Sequence, residues 1–172
     1  LLGSLQAQTE AEDALMGRFA MAYQHGRYAE SIHIMDSAFA LRHYVGTSAP
    51  TYYYLNKGAA LGSLGQYPKA LEIFQQGLAL AESRRDKIGQ VELRRNMGNI
   101  QLLLGKYVEV RTLFQQAMNL DRSRQLLQED ALLYYQMGLC AFGENNVSAA
   151  EDYIDKIKKF EHQNKELILN VL

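Results

Sequence analysis

Small, aliphatic and aromatic positions return along this chain at a fixed interval, with mostly polar residues between them. Gly58, Gly98 and Gly138 stand 40 residues apart. Five more columns keep that step: Gly65, Gly105, Asn145; Tyr67, Tyr107, Val147; Ala70, Val110, Ala150; Phe74, Phe114, Ile154; and Gly77, Ala117, Ile157. Upstream, at a step of 39, Gly26, Tyr28, Ser31, Met35 and Ala38 precede Gly65, Tyr67, Ala70, Phe74 and Gly77, and Phe19 takes the place of Gly58. Periods of this size mark stacked supersecondary units, each unable to cover its own apolar face.

Each unit reads as two helices around a tight turn. The predicted helices are 9–24, 27–42, 50–64, 67–83, 88–104, 107–122, 127–142 and 146–161, with a separate piece at 165–172. Gly65 and Gly105 mark turns, because glycine accepts the positive φ at which a helix stops. Pro68 falls in the first turn of its helix, where a missing N–H costs nothing, and Pro50 precedes the second unit in the same way. Gly58, Gly98 and Gly138, with Ala60 and Cys140 nearby, let the helices of a hairpin approach closely. Phe74 and Phe114 are expected to fill the space between successive hairpins, each buried ring contributing about 1.5–3 kcal/mol.

These columns resemble the tetratricopeptide repeat, in which an aromatic-x2-Leu-Gly opening is followed by Ala-x3-Phe in the second helix. Here the copies read Tyr54-x2-Lys57-Gly58 with Ala70-x3-Phe74, Arg94-x2-Met97-Gly98 with Val110-x3-Phe114, and Tyr134-x2-Met137-Gly138 with Ala150-x3-Ile154. The resemblance covers residues 9–161. It implies an all-α, right-handed superhelical solenoid of about four helix-turn-helix repeats: 9–43, 50–84, 88–123 and 127–162, with 163–172 starting a further helix or cap. The step of 40 exceeds the usual period of about 34, and the proline that often ends each unit is absent. Both departures are similar to the long-repeat subclass of peptide-binding adaptors and bacterial regulators.

In that architecture the first helix of each hairpin lines a concave surface. Its inner stripe follows i, i+4, i+7, i+11: Asp13, Gly17, Ala20, Gln24; Tyr52, Asn56, Ala59, Ser63; Glu92, Asn96, Asn99, Leu103, with Arg95 alongside; and Leu132, Gln136, Leu139, Gly143, with Tyr135 alongside. Asn56, Asn96 and Gln136 form one column of primary amides, which both donate and accept and so can hold a peptide backbone whatever its side chains. The resemblance implies this use for Asn56 and Asn96, and less directly for the longer Gln136; solvated helix surface is the competing reading. Arg95 with Asn99 could hold a carboxylate, since Arg forks onto it bidentately. The second and fourth repeats place no Lys or Arg on the stripe, so a full carboxylate clamp is not expected. In the run Tyr52-Tyr53-Tyr54, Tyr54 is assigned to the core and Tyr52 to the groove, while Tyr53 fits either.

Composition narrows the function classes. The 172 residues are 48% hydrophobic, with 2 prolines and a net charge of −1. Such a chain buries a core and lacks the basic excess of nucleic-acid binders. The basic stretch from Arg84 to Arg111 is interleaved with Asp86, Glu92 and Glu109 and reads as a solvated face. No apolar run approaches the ~20 residues that span a bilayer. No phosphate-cradling glycine motif or nucleophile elbow is present. His25, His33, His43 and His162 are scattered, and the lone Cys140 lies in the packing column, so neither a metal site nor a nucleophile is expected.

The segment Leu1–Gln8 reads as the end of a preceding helix, with Leu1, Leu2 and Leu5 on one face, or else as the tail of a signal peptide. The first reading goes with a cytoplasmic protein, the second with an exported one. Leu167, Ile168, Val171 and Leu172 form an apolar face that needs a neighbour, so the chain is expected to be part of a longer one or to self-associate through open ends. The expected function is a non-catalytic scaffold, without cofactor, that binds a protein or extended peptide through Tyr52, Asn56, Glu92, Arg95, Asn96, Asn99, Tyr135 and Gln136. The alternative is a regulatory or sensory repeat domain of a larger bacterial signalling or transcription-regulating protein.

Overall fold

The structure, a computed structural model, describes residues 2–41, 51–120 and 127–169, with side chains over 13–40, 51–120 and 131–159. Pro50 and His43 lie outside those ranges, as do the side chains of His162 and of the two terminal apolar faces. The described residues form eight helices and no strand: α1 (Leu2–Gln24), α2 (Tyr28–Leu41), α3 (Thr51–Ser63), α4 (Tyr67–Ser83), α5 (Lys87–Leu103), α6 (Tyr107–Leu120), α7 (Leu127–Gly143) and α8 (Val147–Leu169). Consecutive helices pack as pairs, in an all-α helical-repeat fold. The chain divides into two compact units, Leu1–Gly89 and Gln90–Leu172.

Turn chemistry explains the helix ends. Gly65 (φ +72°) and Gly105 (φ +68°) hold the left-handed conformation. At the first of these turns, Gln66 N–H reaches Leu61 C=O at 2.9 Å and Gly65 N–H reaches Gly62 C=O at 2.9 Å. This is the paired closure that satisfies the last carbonyls of a helix. The same pattern closes the α7–α8 turn through Asn145 (φ 58°) and the α4–α5 turn through Arg85 (φ 56°). Asparagine tolerates that region and arginine does so less readily, so the turn at Arg85 carries no glycine to announce it. Two asparagine-type caps follow. Asp86 Oδ1 accepts from Gly89 N–H (2.9 Å), and Asn146 Oδ1 accepts from Ala149 N–H (3.1 Å).

Two boundaries differ from the sequence expectation. Helix α1 is continuous from Leu2, so residues 2–8 belong to the first helix of the first hairpin rather than to a preceding one. Helix α8 runs unbroken to Leu169, where a linker at Asn164 and a separate helix at 165–172 were expected. No glycine or proline occurs between Val147 and Leu169, so nothing in the local chemistry stops the helix.

Packing within the hairpins follows the volume at two columns. In the second and third hairpins the Phe74 ring lies over Gly58 and the Phe114 ring over Gly98, so closely that a Cβ at either glycine would meet the ring. Both rings are fully buried. They fill the space inside each hairpin, because glycine on one helix leaves a ring-sized gap that the partner helix fills; the expected place between hairpins holds for Phe114 as well, since its cluster reaches α7. In the first hairpin the bulk is exchanged, with Phe19 in the glycine column and Met35 in the phenylalanine column, both buried in one cluster with Ala22, Ile34 and Tyr53. In the second unit, Val91, Val110, Phe114 and Ala117 pack with Leu133, Met137 and Cys140 from α7. The fourth hairpin has no such ring: a Cβ at Gly138 would meet only Tyr153 Cβ at 3.5 Å and Ala150 O at 3.9 Å, in ordinary contact, and Ile154 is 49% exposed.

Candidate peptide-binding stripe

In the first unit, α3 carries Tyr52 and Asn56. Both are half-buried. Tyr52 packs against the cluster of Phe19, Met35 and Tyr53, so part of its ring is core rather than groove. Tyr53 is the buried member of the tyrosine run; it stacks on Phe39 with ring centroids 4.2 Å apart and meets Tyr54 edge-on at 5.1 Å. Tyr54 itself is half-buried.

Beside the stripe is a polar cluster that the repeat pattern does not single out. Asp36 Oδ1 on α2 accepts from Tyr53 Oη (2.9 Å) and from Lys57 Nζ (2.5 Å), and Lys57 Nζ also lies 3.2 Å from Tyr53 Oη. Burial acts to lower the Lys57 pKa, but the bonds to Asp36 and Tyr53 outweigh it and the net shift is upward. Burial pushes the Tyr53 phenol up, opposed by its bond from Lys57. The only early signal for this cluster was a lysine standing where the repeat pattern has leucine.

In the second unit the stripe runs over α5 and α7. Gln136 is buried (7% exposed), and its Nε2 donates to Asn99 Oδ1 across the two helices at 2.5 Å, a pair 37 residues apart. Gln136 Oε1 is buried with no hydrogen-bond partner among the described residues. Asn96 Nδ2 donates to its own helix at Glu92 C=O (2.8 Å). Glu92 and Arg95 are half-buried, and Tyr135 is 56% exposed. Of the candidate residues, the structure therefore joins Asn99 to Gln136 and Asn96 to Glu92. It does not make a bonded column of Asn96 and Gln136.

Sequence reasoning missed Arg94, which is buried (9% exposed). It reaches Gln116 Oε1 through Nε (3.3 Å) and Gln90 C=O through Nη1 (3.3 Å), tying α5 to α6. It also missed the Arg111–Glu144 ion pair between α6 and the end of α7.

Cys140 is buried and its thiol donates to Tyr107 C=O (3.6 Å). Burial and Glu144 push its pKa up, a thiol held protonated rather than an activated nucleophile. Among the described residues no three His, Cys, Asp or Glu side chains gather as metal ligands, and no helix is long and apolar enough to cross a membrane.

The titratable groups set an alkaline limit. Tyr53, Lys57 and Cys140 all have folded pKa values above their ordinary 10.0, 10.5 and 9.0. Above about pH 9 the folded state holds more protons than the unfolded chain, so unfolding free energy falls as pH rises. Urea midpoints are expected to be level with respect to these three groups between pH 7 and pH 8.5. They should then decline from about pH 9 to 11, and Cys140→Ser should remove the earliest part of the decline.

Paired antiparallel helices in one repeated register, with amides gathered on the first helix of the pair, define a helical-repeat protein of the solenoid class. The family model for the tetratricopeptide repeat matches residues 47–123. That match covers the second and third hairpins, so tetratricopeptide repeats are what this part of the chain is similar to. A solved structure of MamA, the MamA RS-1 ArsTM double mutant, shares the fold with a TM-score of 0.63 at 15% identity, over 87% of this chain and 75% of that one. No curated protein matches the chain. Tetratricopeptide repeats generally mediate protein–protein interaction, and the fold is generally a non-catalytic scaffold.

Proposed function

We propose that this chain is a non-catalytic binding module that holds an extended peptide segment of a partner protein against the first helices of its hairpins. The residues proposed to make the contact are Tyr52 and Asn56 in the first unit, and Glu92, Arg95, Asn96, Asn99, Tyr135 and Gln136 in the second. The observation that carries this reading is the Asn99–Gln136 amide pair with its unpartnered Gln136 oxygen. A buried acceptor without a donor costs about 1–3 kcal/mol, and a peptide N–H is the donor such a site would take. The oxygen is buried in the free chain, so its engagement requires the Gln136 amide to swing outward as ligand arrives. Arg95 and Glu92 precede Asn99 on α5 and carry opposite charges.

Affinity capture from native lysate, read by mass spectrometry, tests the proposal. Asn56→Ala/Asn96→Ala removes two amides, each worth about 0.5–1.5 kcal/mol, so retention of a partner should fall roughly 5- to 100-fold. Asn99→Ala should weaken the same partner. A partner held equally well by all three proteins would place the interface elsewhere on the chain.

A further inference from the structure

The glycine and phenylalanine columns carry one ring per hairpin except in the last. Met35 with Phe19, Phe74 on Gly58 and Phe114 on Gly98 all close their hairpins. In the fourth hairpin Ile154 stands at the ring's position and is 49% exposed. A Cβ built on Gly138 would find nothing nearer than Tyr153 Cβ at 3.5 Å, whereas at Gly58 and Gly98 it would run into the ring. The space left over Gly138 is a cavity of about 210 Å³, lined by Tyr134, Tyr135, Leu139, Phe142, Ile154 and Ile157 among others, with no charged side chain in its wall. An apolar cavity of about 150 Å³ stays dry and takes up benzene, so this one is large enough for a phenyl ring.

We propose that the cavity over Gly138 is a receptor for an aromatic ring supplied from outside the chain, the phenylalanine side chain of a bound polypeptide. That ring takes the place that Phe74 and Phe114 occupy over Gly58 and Gly98. The occupant is argued from the chain's own packing, which twice lays a phenyl ring on a helical glycine at this register. The polypeptide source of the ring rests on the binding function proposed above; the cavity's preference for an aromatic group does not.

The test is nuclear magnetic resonance titration of the isotope-labelled chain with N-acetyl-phenylalanine amide, N-acetyl-leucine amide and toluene. The phenylalanine amide and toluene should each move the Gly138 amide and Ile154 methyl signals saturably and leave Gly58 and Gly98 in place. The leucine amide should act about tenfold more weakly or not at all. Ile154→Phe fills the cavity from within and should abolish both shifts, and Gly138→Leu does the same from the other helix should the first variant fold poorly. Asn56→Ala/Asn96→Ala should leave the Gly138 shift intact, so failure of the amide stripe and failure of the cavity are read separately. No movement of Gly138 with either aromatic probe, equal response to leucine and phenylalanine amides, or unchanged shifts in the filled variants would each overturn the proposal. Response to toluene alone would overturn the polypeptide source.

Discussion

Phe114→Ala is expected to lower the unfolding free energy by about 3–5 kcal/mol, the range for removing a fully buried ring. Phe114 is fully buried among Val91, Val110, Leu133 and Met137, and its ring covers Gly98. The cost has two parts: the lost transfer of the ring, and a cavity that α5 and α7 cannot close because Leu133 and Met137 already hold their places. Ile154→Ala, one repeat later, should cost less than about 1 kcal/mol, since Ile154 is 49% exposed and seals nothing. Gly98→Ala is the reciprocal experiment. Alanine improves the helix by about 1 kcal/mol, but its Cβ meets the Phe114 ring, and overpacking costs about 1–3 kcal/mol. The net should be a loss of up to about 2 kcal/mol, relieved in Gly98→Ala/Phe114→Leu, where the ring that meets the new Cβ is gone. Urea titrations followed by circular dichroism measure all four variants. Equal losses at Phe114 and Ile154 would contradict the packing described here.

Asp36→Ala should be the next most damaging change, at roughly 2–3 kcal/mol. It leaves the Lys57 ammonium and the Tyr53 hydroxyl facing a partner that is gone, between α2 and α3. Breaking a fully buried pair from one side costs about 3–5 kcal/mol. Here the Asp36 side chain is 45% exposed and that of Lys57 20%, so solvent screening brings the figure down. Asp36→Asn keeps an acceptor for Tyr53 and should lose less. Asp36→Ala/Lys57→Met removes the stranded charge with its partner and should recover most of the loss. A thermal midpoint for Asp36→Ala within a degree of the wild type would show that the cluster does not hold α2 to α3.

The period of 40 and the volume at each column were legible in the chain because they are local chemistry repeated. Gly26, Gly65 and Gly105 end helices by accepting positive φ, and Pro68 starts one by lacking an N–H. The helical spacing of small and large residues then assigns every hairpin. What that periodicity left undecided depends on what touches what. It placed Phe74 and Phe114 in the core but not on which side of their helices. A column records size and omits direction, and the rings turned out to lie on the glycines of their own hairpins. It assigned Tyr54 to the core, against which Tyr54 does pack, and left Tyr53 open; Tyr53 is the more deeply buried, because Asp36 and Phe39 on the preceding helix supply its hydrogen bond and its stacking partner.

The amide stripe divides in the same way. Helical spacing placed Asn56, Asn96, Asn99 and Gln136 on the first helices, and a reader of the chain could choose them as candidates. Only the tertiary structure paired Asn99 with Gln136 and left one oxygen of that pair without a donor, since their contact depends on how α5 and α7 pack and no local spacing encodes it. The turn at Arg85 belongs with these, since a non-glycine residue there takes positive φ and no glycine announces it. The α8 boundary does not: no glycine or proline between Val147 and Leu169 stops the helix, and that was readable in the chain. The chain by itself determined the fold class, the register and the kinds of side chain on each face, because those follow from local conformational preference and hydrophobic periodicity. Packing alone decided which faces meet, which polar groups are satisfied and where the last hairpin keeps an unfilled space.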